Sequence, residues 1–488
     1  MKKLFNLRLP VLFACIFSFG TVIGLSFLYL KYEFLWFLAV LPVFAAGFIL
    51  TIIFSKNRLL PATVAATALI LTGSAANCFF RVQSFDAAEL DDGGTYNVSG
   101  TVTDKGATDF GEYILIENAV AYGSSVDGKI IAYLSDEYGE FCEEGYIVEF
   151  EALINVNVTF INGKLNRFAE SGIKYSCNVY GGLQSEYGFS FFGAARKTIR
   201  NTLYNNLDRE VAAIAFAMLT GNTKGIDYGA LTAFRYGGVA HIFAVSGLHI
   251  GIIYGIIAAI CKKLRANSYV SAAVCLLLIT LYAGVCGFSP SSLRAVVMCG
   301  VASISRLFKK KYDSFNSLAV AVILLLVINP LHLFGAGFQL SVCAVGGIIL
   351  LSKRLTKLFK RLPKVISNSA AVTLSAQAGI MPVAAAKFGY LSIAGLFLNI
   401  VAIPVLSVLF VLLFICAVLS VIMPFAAPFI LQCAALPIEA VVSLFVNAGL
   451  ENALIYTDSA YVFIIPYYLL LILLSDKINY RCIKRTDL

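Results

Sequence analysis

The chain reads as a polytopic α-helical membrane protein of about twelve spans, broken helices included, with a small OB-like extracytoplasmic β-barrel inserted near its N-terminus. Three observations predict this. First, 59% of the 488 residues are hydrophobic and 13% are charged, with a mean hydropathy of +0.84. A soluble domain is about 45–50% apolar and about 25% charged. Second, the apolar residues fall into runs long enough to cross a bilayer, with basic loops between them. Third, acidic charge is concentrated in one stretch. Asp86 to Ser190 holds 18 Asp+Glu and 5 Lys+Arg, a net of −13, while the rest of the chain nets +22, leaving +9 overall. The 38 Phe and 24 Tyr exclude a disordered chain.

Residues 1–80 predict an N-terminal membrane segment with helices over about 11–30, 33–54 and 59–80. The basic start, Lys2, Lys3 and Arg8, belongs inside, as does the loop Lys56-Asn57-Arg58, so residue 81 emerges outside. Residues 86–190 have the alternation of short strands. In Tyr146-Ile-Val-Glu-Phe150, Tyr146, Val148 and Phe150 share a face, and Gly, Asp and Asn clusters punctuate the runs. Several short strands in this length predict an OB-like barrel, with a short sandwich as the alternative. Cys142 and Cys177 lie in this outer domain and are expected to pair as a disulfide. The other cysteines sit mostly in apolar runs and read as small buried hydrophobes.

Residues 191–230, with Arg196, Lys197, Arg200, Arg209 and Lys224 among apolar positions, predict an amphipathic segment in the membrane interface. Residues 231–476 form the main membrane domain. Its apolar runs lie at about 238–260, 268–287, 292–306, 316–329, 335–351, 367–387, 403–423, 425–449 and 460–475. Its inside loops are basic: Lys262 to Arg265, Arg306 to Lys311 and Lys353 to Lys364. Leu391 to Ile403, bounded by Pro404, is too short to cross and reads as a half-helix. The basic tail, 477–488, places the C-terminus inside. The lipid bilayer is the first partner this implies.

Three histidines bound the chemistry. His241, His249 and His332 have no zinc-site spacing, and there is no P-loop, so neither a metal nor another cofactor is expected. The densest polar cluster in apolar sequence is Gly238 to Gly251. On one continuous helix, His241, Ser246 and His249 would share a face, and Gly247, Gly251 and Gly255 would form a packing stripe. The plainer alternative is a histidine pair hydrogen-bonded for packing. Arg294 follows Ser289, Pro290, Ser291 and Ser292 where a helix restarts. It either snorkels to the interface or offers a guanidinium to an anion. Asn329-Pro330, Gly335 to Gly337, Gln339, Ser341, Ser375, Gln377, Pro382, Lys387, Asn399 and Pro404 interrupt further runs. Repeated interruptions suggest a translocation path.

The segment His241-Ile-Phe-Ala-Val-Ser-Gly-Leu-His249 resembles the signature of the ComEC family of bacterial competence proteins. The order of flanking pieces is similar too: Leu219-Thr-Gly221, Ser289 to Ala295, Asn329-Pro330, Gly337 to Ser341, Asn399 and Pro404. The resemblance implies a channel carrying single-stranded DNA into the cytoplasm during natural transformation. Its substrate path would use His241, Ser246, Gly247, His249, Ser291, Arg294, Asn329, Gln339, Ser341 and Asn399. Many family members also carry a metallo-β-lactamase-like nuclease domain, and no His-rich motif here matches it. The expected partners are therefore single-stranded DNA, a separate nuclease, and a cytoplasmic helicase or single-strand-binding protein, and a homo-oligomer fits as well. The acidic outer domain opposes phosphate unless a patch at Lys164, Arg167 and Lys174 overrides the mean field. Two other readings stay open: an intramembrane hydrolase with Ser246 as nucleophile and a histidine as base, and a transporter of another polyanion.

Overall fold

The structure is a computed structural model that describes residues 9–29, 59–108, 111–134, 142–161, 164–243, 245–447, 454–457 and 463–474. The expected helix at 33–54 and the basic tail lie outside the described residues. The chain divides into two units: Leu9–Lys197 with Val322–Gly335, and Thr198–Ala321 with Ala336–Leu488.

In the first unit, α1 (Leu9–Tyr29) packs on α2 (Leu59–Asp86). Gly24 allows the close approach, since a Cβ there would lie 2.5 Å from the Ala75 carbonyl oxygen. The barrel follows: β1 (Thr95–Thr108), β2 (Gly111–Ala121), β3 (Lys129–Leu134), β4 (Ile147–Val156) and β5 (Ile173–Glu186). Strand β1 is long enough to pair with two neighbours. It is antiparallel to β4 (Val98 opposite Phe150) and antiparallel to β2 (Val102 opposite Ile116). Strands β3 and β5 close the other side in parallel, Ile131 opposite Ser176. The order β1-β4-β5-β3-β2-β1 is a closed five-stranded barrel, as the alternation predicted. Gly100 sits at a register shift in β1, where a Cβ would strike Ile116 at 2.5 Å, so glycine lets the strand bend over the core.

Every second residue of β4, from Val148 through Phe150 and Ala152 to Ile154, is buried with Val98, Ile114, Ile116, Ile130 and Tyr175. Cys142 and Cys177 lie in the same core as free thiols, and the expected bridge is not formed in this structure. Asp86, ending α2, holds the barrel by accepting from the Thr159 amide and hydroxyl, each at 2.8 Å. The helix α3 (Arg167–Ser171) packs Ala169 with Val82, Phe85 and Leu331.

Three cations of the barrel are neutralised. Lys105 pairs with Glu112 at 3.0 Å and Lys129 with Glu117 at 2.5 Å. Lys174 is 3% exposed, 3.7 Å from Asp127. It therefore adds little to the basic surface patch considered for it, because it is buried and its ammonium faces the exposed carboxylate of Asp127.

The helices that follow are α4 (Phe191–Tyr204), α5 (Arg209–Thr220), α6 (Tyr228–Tyr236), α7 (Gly247–Lys263), α8 (Ser268–Val285) and α9 (Pro290–Leu307). Then come α10 (Ser314–Ile328), α11 (Ala336–Leu358), α12 (Lys364–Phe388), α13 (Ile393–Ile422), α14 (Ala427–Asn447) and α15 (Ile464–Leu473). Within 191–230, expected to lie in the membrane interface, two of the cations are paired and one helix is buried. Arg196 is 2.5 Å from Glu144 and Lys197 pairs with Glu143, so these cations are held by acids. In α5, every residue from Val211 to Thr220 is buried, in the core of the second unit with Phe410, Leu431 and Ile438. Its run of alanines and large apolar residues has no polar face to offer to headgroups.

Among the described residues five helices are long and apolar enough to cross a membrane: Ser268–Val285, Ala336–Leu358, Ile366–Phe388, Ile393–Ile422 and Pro424–Asn447. The described residues do not confirm the expected count of about twelve. Helix α7 has 17 residues and α10 has 15, while α9 carries two arginines and several serines.

Proline does not break these helices as expected. Helix α13 continues through Pro404, so Ile393 to Ile403 is its beginning and not a separate half-helix, while Leu391 lies in a short strand, Tyr390–Ser392, just before it. Helix α12 continues through Pro382, which lacks the N–H that would bond the Ala378 carbonyl. The Tyr467 hydroxyl donates to that carbonyl at 2.9 Å, and Tyr468 donates to the neighbouring Gly379 carbonyl at 2.7 Å. A lost backbone donor is thus replaced from α15. Gly379 also lies against the Cys343 carbonyl, and Gly347 against that of Ser375, fixing α11 close to α12. The break that does occur is at Asn329-Pro330, where a 3₁₀ turn, Pro330–Phe334, precedes α11.

Candidate functional site

The polar segment at 238–251 is not one helix. Gly238 has φ +70°, a 3₁₀ turn covers Ala240–Ile242, and Ser246 is the extended N-cap of α7. His241 is therefore on a different element from His249. It is exposed, with Nδ1 3.1 Å from the Gly238 carbonyl. The glycine stripe also divides. A Cβ at Gly247 would lie 2.5 Å from Arg294 Nη2, whereas Gly251 and Gly255 face open space. One helix approaches only at the first of the three.

At the start of α7, His249 is 3% exposed and its ring stacks on Phe410 of α13, centroids 4.0 Å apart at 12°. Arg294, on α9, is 4% exposed. The Nδ1 of His249 and the Nε of Arg294 are buried without a hydrogen-bond partner. Ser246 makes no side-chain cap, although the first amides of a helix have no acceptor of their own. Ser289 caps α9 by accepting from the Ser292 amide at 3.3 Å. Ser291 and Ser341 join α9 to α11, their hydroxyls 3.0 Å apart.

A second group lies further along α13. Asn399 donates to the Gly238 carbonyl at 3.2 Å, and Gln377 donates to the Gly395 carbonyl at 3.0 Å. Both nitrogens are thus committed to backbone acceptors, and Asn399 Oδ1 and Gln377 Oε1 are left buried without partners. A Cβ at Gly238 would lie 2.9 Å from Gly395 Cα, which explains glycine on both sides of this contact. Eleven residues separate Asn399 from Phe410, about 16 Å along the helix.

The structure thus brings Ser246, Gly247, His249 and Arg294 together, links Ser291 to Ser341, and ties Asn399 to Gly238. Gln339 is half-buried on α11, two residues before Ser341. Asn329 has a structural task instead. Its side chain accepts from the Leu331 amide at 3.1 Å and donates to the Glu170 carbonyl at 2.9 Å. Sequence reasoning passed over Phe410, which looks like any core aromatic until its stack on His249 is seen. It noted Gln377 only as an interruption. A cavity of about 420 Å³ opens elsewhere in this unit, lined by Glu210, Asp227 and Glu439. Its negative lining does not suit an anion.

Buried cationic and hydroxyl donors beside open helix amides can hold an oxyanion. Acyl chemistry gains no such support. Among the described residues no hydrogen bond joins Ser246 to either histidine, and nothing orients His249 through Nδ1.

Comparison with known proteins places this site in context. The chain is 32% identical over 209 residues to ComE operon protein 3 of Bacillus subtilis (strain 168), covering 43% of this chain and 26% of that protein. It is 25% identical over 222 residues to Recombination protein 2 of Haemophilus influenzae, covering 42% and 28%. The match therefore spans less than a third of either relative. No solved structure matches. The profile of the family described as Competence protein matches residues 218–476, over half of the chain and including His249, Arg294, Gln377 and Asn399. The resemblance carried by His241 to His249 is upheld, and the chain belongs to the competence protein family.

Proposed function

We propose that this chain forms a path for single-stranded DNA across the bacterial cytoplasmic membrane during natural transformation. The observation that carries this reading is the set of buried polar atoms without partners on His249, Arg294, Gln377 and Asn399, among apolar helices. Such groups are costly in a membrane protein unless they face water or a polar cargo. Family membership supplies the context of competence. In this reading both termini are cytoplasmic and the barrel is outside. With Lys105, Lys129 and Lys174 each beside an acid, the barrel docks partners or gates entry and does not grip DNA. A separate nuclease and a cytoplasmic helicase or single-strand-binding protein complete the system, and the chain works alone or as a homo-oligomer.

The test is uptake of labelled DNA into nuclease-protected cytoplasm, comparing a deletion strain with strains complemented by wild type, Ser246→Ala, His249→Ala and Arg294→Gln. Loss on deletion, rescue by wild type and failure of the variants at normal protein level is the expected result. Unchanged uptake after deletion in a competent host refutes the reading.

A further inference from the structure

We propose that the starts of α7, α9 and α11 form a binding site for one phosphodiester group at a time, with Arg294 as its central cation. This rests on the DNA-path reading for the identity of the cargo, but the anion chemistry stands on observations of its own.

The first is that, among the described residues, no counter-charge is paired with Arg294. Arg294 is 4% exposed, and its Nε has no partner. From Tyr228 to Ile438 the sequence contains one acidic residue, Asp313. That carboxylate accepts the Phe315 amide at 3.0 Å, at the head of α10. No Asp or Glu on α7, α8, α9, α11, α12 or α13 can neutralise Arg294, because those helices have none. A buried guanidinium without an anion is destabilising by several kcal/mol. The helices around it are thus arranged to accept a negative charge from outside the chain.

The second is the direction of the helices. Helices α7 and α9 run parallel: Gly247 meets Arg294 near their starts, and Tyr254 meets Ser303 at 2.8 Å further on. The Ser291–Ser341 contact places the early turns of α9 and α11 side by side. Each helix ends in basic residues: Lys262 and Lys263, Arg306, and Lys357. The positive dipole ends of α7 and α9 therefore lie side by side with the second turn of α11 beside them, and the basic side chains complement the opposite ends.

The third is the set of donors. The first amide of α7 bonded within the helix is that of Ile250, to the Ser246 carbonyl at 3.4 Å, so the amides of Gly247, Leu248 and His249 precede the helical ladder. The Ser246 hydroxyl makes no cap. Gly247 leaves room for the guanidinium here, since a Cβ would lie 2.5 Å from Arg294 Nη2 and push it aside. One guanidinium matches the single charge of a phosphodiester, and none of these groups reads a base. Recognition is therefore independent of sequence, as passage of arbitrary DNA requires.

The test uses the full chain in nanodiscs and a fluorescent oligo-dT, compared with the same oligomer carrying methylphosphonate linkages, across a salt series. Wild type should bind the phosphodiester and lose affinity for the neutral backbone. Arg294→Gln should weaken binding about tenfold or more, as expected for one lost charged hydrogen-bond contact. It should also make the slope of log affinity against log salt shallower by about 0.7, the value for one phosphate of a single strand. Arg294→Lys should keep the slope and lose part of the affinity. Gly247→Ala, which leaves the charge in place but misplaces it, guards against misfolding of the arginine variants and should weaken binding as well. Unchanged affinity and slope in Arg294→Gln and Gly247→Ala overturns the site while leaving the DNA reading intact. If wild type ignores oligo-dT but inorganic pyrophosphate protects it against heat in an Arg294-dependent way, the anion site holds and the DNA reading falls. If neither probe binds, both fall.

Discussion

Tyr467→Phe tests how a proline is tolerated inside α12. Pro382 removes the N–H that would bond the Ala378 carbonyl, and the Tyr467 hydroxyl supplies a donor at 2.9 Å instead. Deleting that hydroxyl leaves the carbonyl without a partner, at a cost of about 1 kcal/mol and at most about 2 kcal/mol. In a Pro382→Ala background the alanine N–H restores the helical bond, so the same substitution should cost about 0 kcal/mol. The two backgrounds should thus differ by about 1 kcal/mol, a coupling measurable by a double-mutant cycle from reversible unfolding in mixed detergent micelles. An equal cost of Tyr467→Phe in both backgrounds would refute the reasoning, because the tyrosine would then be acting through packing and not through the freed carbonyl.

Other outcomes follow from the same structure. Phe150→Ala, fully buried in the barrel, should destabilise that domain by about 3–5 kcal/mol, read as earlier proteolysis within residues 86–190 during heating of the full chain. Gly379→Leu should separate α11 from α12 and lower the yield of folded protein, whereas Gly251→Ala, facing open space, should be tolerated. Burial pushes the Cys142 thiol up to about 11 and the Cys177 thiol up to about 12, in each case by disfavouring the thiolate. Their folded values lie above the unfolded value of about 8.5. The stability they contribute is therefore complete below about pH 8.5 and is lost as pH climbs toward 11. Maleimide should accordingly label neither at pH 8 until denaturant is added; fast labelling of the native protein would contradict this burial. Glu144→Gln should loosen the start of α4 by about 1 kcal/mol, detectable as faster amide exchange around Arg196.

How much of this was legible in the sequence depends on the length scale of the signal. The barrel was readable because alternation is local: Val148 and Phe150 face inward whatever the rest of the chain does. Pro382 misled because it was read without its partners. Nothing near Pro382 announces that Tyr467, 85 positions later, covers the freed carbonyl. Ser246 carried a usable signal, a serine before glycine and an apolar run, which marks an N-cap and argues against a helix continuous from His241. Phe410 gave no signal, since a phenylalanine in an apolar helix is normally core.

By itself the sequence determined the class of protein, the segregation of acidic and basic charge, the barrel, and the family through His241 to His249. These follow from composition, period and short motifs, which do not depend on distant partners. Tertiary structure alone decided which polar residues act together. It separated His241 from His249, gave Asn329 to a turn, set Lys174 against Asp127, and placed Arg294 beside Gly247 with its Nε unpartnered. Pairing of charges and satisfaction of buried polar atoms depend on contacts between residues far apart in the chain, and folding creates those contacts.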